Sequence, residues 1–156
     1  MTCTACPFSL NLICDIMPLF FSAFLTMNQE TLHLTNIQSD EEFKAIITAI
    51  DAMYAKNKPF WMLIETSQVR EIQPRYLFQI SKYLNKIRNE YPRILQYSRI
   101  HVYDDFIFNL LYTLFIFLAS PIAKVTVIYY EGGYPPITPT TSTQPIKKIK
   151  EYFPRR

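Results

Sequence analysis

Residues able to do chemistry are few in this chain, and they fall in three places. Glu65, Thr66, Ser67 and Arg70 follow one apolar run, and Asp104 and Asp105 follow another. Cys3 and Cys6 form a Cys-x-x-Cys pair near the amino end, with Cys14 close behind. Carboxylates gathered at strand ends can hold a divalent cation or act as acid and base. Hydroxyls in a polar loop can accept a phosphate, and a Cys-x-x-Cys can supply half a zinc site or a redox pair. Each possibility meets an objection in the sequence. No second cysteine pair exists to complete a metal site, and His33 and His101 stand isolated. Pro7 follows the cysteine pair where a redox motif would open a helix, and no Ser, His or Cys stands beside an evident base as an activated nucleophile. The double aspartate has a simpler duty as the amino-terminal cap of the next helix. The reading therefore assigns no catalytic residue, no metal and no cofactor.

Those positions matter only through the elements that carry them. The chain has 156 residues, enough for one domain with a core. It is 49% hydrophobic and 19% charged, which excludes a disordered chain as a whole. Two glycines leave little material for a phosphate-cradling loop, and a net charge of +3 is too small to argue for nucleic acid. Three cysteines confined to the first fourteen residues give no disulfide scaffold, so a reducing, cytoplasmic compartment is the default expectation.

Residues 1–27 form an apolar leader with Asp15 as its one charge, broken by Pro7 and Pro18. A signal peptide wants a basic region before its apolar stretch, and no Lys or Arg occurs before Lys44. It reads as an edge strand at Leu19–Leu25, or as a segment ahead of a true start at Met27. From Thr31 the pattern becomes regular. Thr31–Asn36 alternates as a strand, and Ser39-Asp40-Glu41-Glu42 is a capping box for a helix carrying Phe43, Ile46, Ile47, Ile50 and Met53. Pro59 stops that helix, and Phe60–Glu65 is a continuous apolar run expected of a strand covered on both faces. Pro74 opens a second helix with Leu77, Ile80, Leu84, Ile87 and Tyr91 on its inner stripe, and Pro92 follows it. Arg99–Tyr103 and Lys124–Tyr130 read as two more strands.

Between those strands lies Phe106–Ala123, eighteen residues without a charge. As a spanning helix it would reach about 27 Å, at the short end for a bilayer, and it is cut by Ser120-Pro121. Set between two strands, it reads better as a third crossover helix, for which contact with Trp61, Ile100 and Val127 is the deciding observation. A membrane anchor at 106–123 is the alternative. A helix so free of charge needs extensive covering, by the leader or by a second copy in a homodimer.

The sum is an α/β domain over residues 28–131, with a small, mostly parallel sheet of four to five strands and three crossover helices. Residues 132–156 read as a flexible Pro/Thr-rich tail with a basic end, where Ile146, Ile149 and Phe153 could line a helical turn or two. Over about residues 31–130, the stretch EEFKAIITAIDAMYAKNKPFWMLIETSQV followed by SRIHVYDDFIFNLLYTLFIF resembles the STAS-like domains, in the bacterial anti-sigma factor antagonist or SEC14-like group. The resemblance implies a non-enzymatic module that binds a protein partner, with Thr66, Ser67 and Arg70 as an interaction or phosphoacceptor loop. The group's Asp-Ser-Ser/Thr-Gly motif is missing from Ile64–Arg70, so its phospho-switch is not carried over. An enzyme using Glu65, Asp104 and Asp105 is a further alternative.

Overall fold

The computed structural model describes residues 27–91, 93–133 and 144–155. The cysteines, the proposed leader strand and Pro92 lie outside the described residues. The elements follow the chain as β1 (Asn28–His33), α1 (Asp40–Ala55), β2 (Phe60–Glu65), α2 (Pro74–Glu90), β3 (Leu95–Val102), α3 (Asp105–Thr113), β4 (Lys124–Tyr130) and β5 (Ile146–Tyr152). The strands lie side by side in chain order, β1 to β4 parallel and β5 antiparallel to β4. The α/β sheet and its three helices are as expected.

Local chemistry sets the helix starts. The Ser39 hydroxyl accepts from the Glu42 amide at 3.2 Å, and the Glu42 carboxylate accepts from the Ser39 and Gln38 amides at 3.0 and 2.7 Å. These backbone donors hold the Glu42 carboxyl below its usual range. Ser39→Ala should therefore cost about 1 kcal/mol in urea denaturation. A cost near zero would show that α1 is held by packing alone. Asp104 caps α3 in the same way, accepting from the Phe106 and Ile107 amides.

The charge-free run is not one long helix. After α3, Leu114–Leu118 form a π-helical turn, and the chain is extended again at Ala119. The helical part covers about 20 Å, and among the described residues no helix is long and apolar enough to cross a membrane. Its end is tied down by cations. Arg155 donates to the carbonyls of Phe115, at 2.9 Å, and Ile116, while Arg88 donates to that of Ser120. Free carbonyls at a helix end are satisfied by such donors.

Right-handed crossovers between neighbouring parallel strands put all three described helices on one face of the sheet. The core confirms it. Ile100, Val102, Val125 and Val127 pack with Ile107, Leu111, Leu114 and Phe115, while Leu32, Phe60 and Met62 pack with Met53, Tyr54 and Ile87. Trp61 has the opposite parity and lies on the other face, so the expected contact between it and the third helix is corrected. The covering of α3 is also incomplete. Phe106 and Tyr112 are exposed, and Phe117 is 70% exposed. Lysines of β5 shield part of this surface, Lys148 over the Phe108 ring and Lys150 over that of Tyr112.

Three boundaries differ from the sequence reading. β1 begins three residues earlier than Thr31, and Asn36 has left the sheet to accept from the Arg70 and Glu71 amides. β3 begins at Leu95. The basic end, read as a tail or helical turn, is strand β5, whose Tyr152 is buried against Phe115 at 5.1 Å between ring centres.

Candidate functional site

Strand parity divides the sheet residues between two environments. On the face away from the helices, the registers align Trp61 with Tyr97, Leu63 with Arg99 and Thr126, and Glu65 with His101 and Ile128. Ile128 pairs in turn with Ile149. No described element packs on this face. Trp61, Leu63, Tyr97 and Tyr130 are half-buried there by their neighbours, and Ile149 is exposed. Met27, Trp61, Tyr97 and Arg99 line a hollow of about 310 Å³. The Arg99 guanidinium lies 6.0 Å from the ring centres of both Trp61 and Tyr97, at the outer limit of cation–π attraction.

Toward the carboxyl ends of the strands, this face carries one organised polar group. Glu65 Oε1 accepts from His101 Nδ1 at 2.5 Å, and Glu65 Oε2 accepts from the Tyr103 hydroxyl at 3.1 Å. The Tyr130 ring stands edge-on to His101 and stacks on Tyr103, each at 5.3 Å. Thr66 donates its hydroxyl to the His101 carbonyl at 2.8 Å. Burial, then the Glu65 charge, raises the Tyr103 phenol well above its ordinary value. Burial also raises Tyr54 and, with the Asp51 hydrogen bond, Tyr83.

These shifts fix a sign. The folded state holds protons on phenols that the unfolded chain releases near pH 10, so the folded state binds more protons above that pH. Stability should therefore hold up to about pH 10 and decline beyond it. Urea midpoints followed with tyrosine absorbance at 295 nm will check this. Midpoints that rise between pH 10 and 11 would contradict the buried phenols.

The candidate residues divide as follows. Thr66 is buried, 2% exposed, and committed to its hydrogen bond, so its hydroxyl is not presented to solvent. Ser67 is half-buried and offers its carbonyl to Arg70 at 2.8 Å. Arg70 folds back on its own loop and takes the Val69 carbonyl as well. Glu65 belongs to the His101–Tyr103 group. Asp104 caps α3, and Asp105 lies 3.6 Å from Lys147. The three carboxylates are thus spent on separate partners, and among the described residues no cluster of three or more metal-ligating side chains forms.

His101 was hidden in the sequence. It stands isolated there, and only the β2–β3 register brings Glu65 to it. No protein-family model matches the chain, and no curated protein or solved structure matches it significantly. The geometry must carry the functional reading by itself. A carboxylate on Nδ1 with Nε2 unpaired is the arrangement of a general base. Here, however, Nε2 is buried from solvent and has no partner among the described residues. Through Glu65, His101, Tyr103 and Tyr130 the group braces β2, β3 and β4.

Proposed function

We propose that the chain is a non-enzymatic binding module of STAS-like type that docks a protein partner on the helix-free face of its sheet. One observation carries the reading: the helices cover one face, while the other presents Trp61, Leu63, Tyr97, Ile128 and Ile149 beside Arg99 with no described element over them. Monomeric proteins seldom expose large contiguous apolar patches, and those that exist mark interaction sites. Trp, Tyr and Arg are the residues that dominate protein interfaces. The face is balanced in formal charge, since it carries Glu65 and Glu151 against Arg99 and Lys124, with Glu151 2.7 Å from Lys124. That balance favours a largely apolar protein surface over a polyanion, in keeping with the absence of a nucleic-acid signal in the sequence. A cytoplasmic setting belongs to this same proposal.

The test is position-specific photo-crosslinking in living cells, with the probe at Leu63 and, as control, at exposed Lys44 on α1. A discrete crosslinked protein species from position 63 and none from position 44 is the expected result. A clean position 63 under conditions where the protein is folded and expressed would overturn the reading. A species at twice the chain mass would identify the partner as a second copy.

A further inference from the structure

The space between the sheet and the helices is incompletely filled. Two cavities, of about 130 and about 80 Å³, lie on either side of a shared wall of Ile50, Ile64, Leu84, Ile100 and Phe115, which line both. Voids larger than a water molecule are few in a close-packed interior. A dry cavity of about 150 Å³ lined by aliphatic and aromatic side chains takes up benzene, and these two together exceed that size. The larger one is bounded by the π-helical turn through Leu114 and Phe115, a helix irregularity frequent at functional sites. The smaller one is lined by Tyr54. The Tyr54 hydroxyl is buried without a partner among the described residues, which leaves a donor unspent.

We propose that side-chain rotation at this shared wall joins the two cavities around one neutral, largely hydrocarbon molecule of roughly eight carbons, carrying a single oxygen that accepts from the Tyr54 hydroxyl. The head must be neutral because no charged side chain lines either cavity, and an unpaired buried ion is prohibitively costly. Medium-chain alcohols, ketones and lactones meet that description; fatty acid anions do not. The entrance lies between α1 and α2, where Ile46, Ile47 and Ile50 face Ile80 and Leu84, all only half-buried. Tyr83, which also lines the larger cavity, bridges the two helices by donating to Asp51 at 2.7 Å. Parting the helices there breaks that hydrogen bond and a longer one from the same hydroxyl to the Ile47 carbonyl at 3.4 Å, and the carboxylate beside it repels anions. The site lies on the opposite side of the sheet from the proposed docking face and does not depend on it.

The experiment uses the full chain with 1-octanol as probe, and octanoate at neutral pH as the charged counterpart. Octanol should bind one to one and raise the thermal midpoint saturably, while octanoate leaves it unmoved. Leu84→Phe, which fills the junction of the two cavities, should raise the midpoint by itself and abolish the octanol response. Tyr54→Phe should weaken octanol binding about fivefold while keeping the site. Should Leu84→Phe fail to fold, nuclear Overhauser contacts from octanol methylenes to the Ile50 and Ile100 methyl groups decide the matter. No saturable octanol response, equal binding of octanoate, or a response undiminished in Leu84→Phe would each overturn the proposal.

Discussion

Leu114→Asp unfolds the domain at neutral pH, whereas Phe117→Asp, three residues further on, leaves stability within about 0.5 kcal/mol of the parent. Both positions lie in the same charge-free run and the same π-helical turn, so composition does not distinguish them. Burial does. Leu114 is 4% exposed and packs in the core with Val125 and Val127, whereas Phe117 is 70% exposed. A carboxylate at 114 would lose its hydration inside an apolar core, at several kcal/mol. The lost leucine adds its own packing cost of about 2–5 kcal/mol. A domain of this size has roughly 5–15 kcal/mol in total. Circular dichroism and urea denaturation of the two variants will read the difference. Equal tolerance at both positions would mean that the turn does not pack on the sheet as described.

The second large effect is expected at Tyr152, in the strand that the sequence disguised. Tyr152→Ala should cost about 3–5 kcal/mol, because it removes a ring buried between β4 and the π-helical turn. That ring is 5% exposed and packs 5.1 Å from Phe115. Its hydroxyl is buried without a partner among the described residues. Tyr152→Phe should consequently be neutral or stabilising by up to about 1 kcal/mol, since it deletes an unsatisfied polar group and keeps the packing. Urea midpoints of the two variants give both signs. A loss in Tyr152→Phe would reveal a bond to that hydroxyl. A negligible loss in Tyr152→Ala would show that β5 is dispensable.

The reason β5 escaped a sequence reading is physical. Ile146, Ile149 and Phe153 recur at helical spacing, and three lysines interrupt the alternation that marks a strand. The segment is a strand because β4 offers it an edge, and the lysines find the rings of Phe108, Tyr112 and Tyr129 on the far side. None of this is local information. The opposite holds for α1, where Ser39 and Glu42 write the helix start into four consecutive residues, and for α3, where Asp104 does so alone. The crossover role of the charge-free run was legible because strands stand on both sides of it.

The helix-free face was the least legible feature. Phe60–Glu65 is apolar at nearly every position, which suggests a strand covered on both faces and hides the parity that sends Trp61 and Leu63 away from the helices. Only the sequential strand order shows that the three described helices lie on one side. The Glu65–His101–Tyr103 group was invisible for the same reason: Glu65 ends β2, His101 lies on β3 with Tyr103 just beyond it, and they meet through register. Of the candidate positions, Glu65 alone entered that group through its side chain. Thr66 supports it from beneath through the His101 backbone.

The helix-free face is proposed to receive a partner, and Trp61, the only tryptophan in the chain, reports on it directly. Acrylamide quenching of the folded, purified protein is the measurement. The account predicts quenching well above that of an interior tryptophan and below that of the urea-unfolded chain, since Trp61 is half-buried by its sheet neighbours. Quenching as weak as that of a fully enclosed indole would contradict it, because the face would then already be filled in the isolated protein.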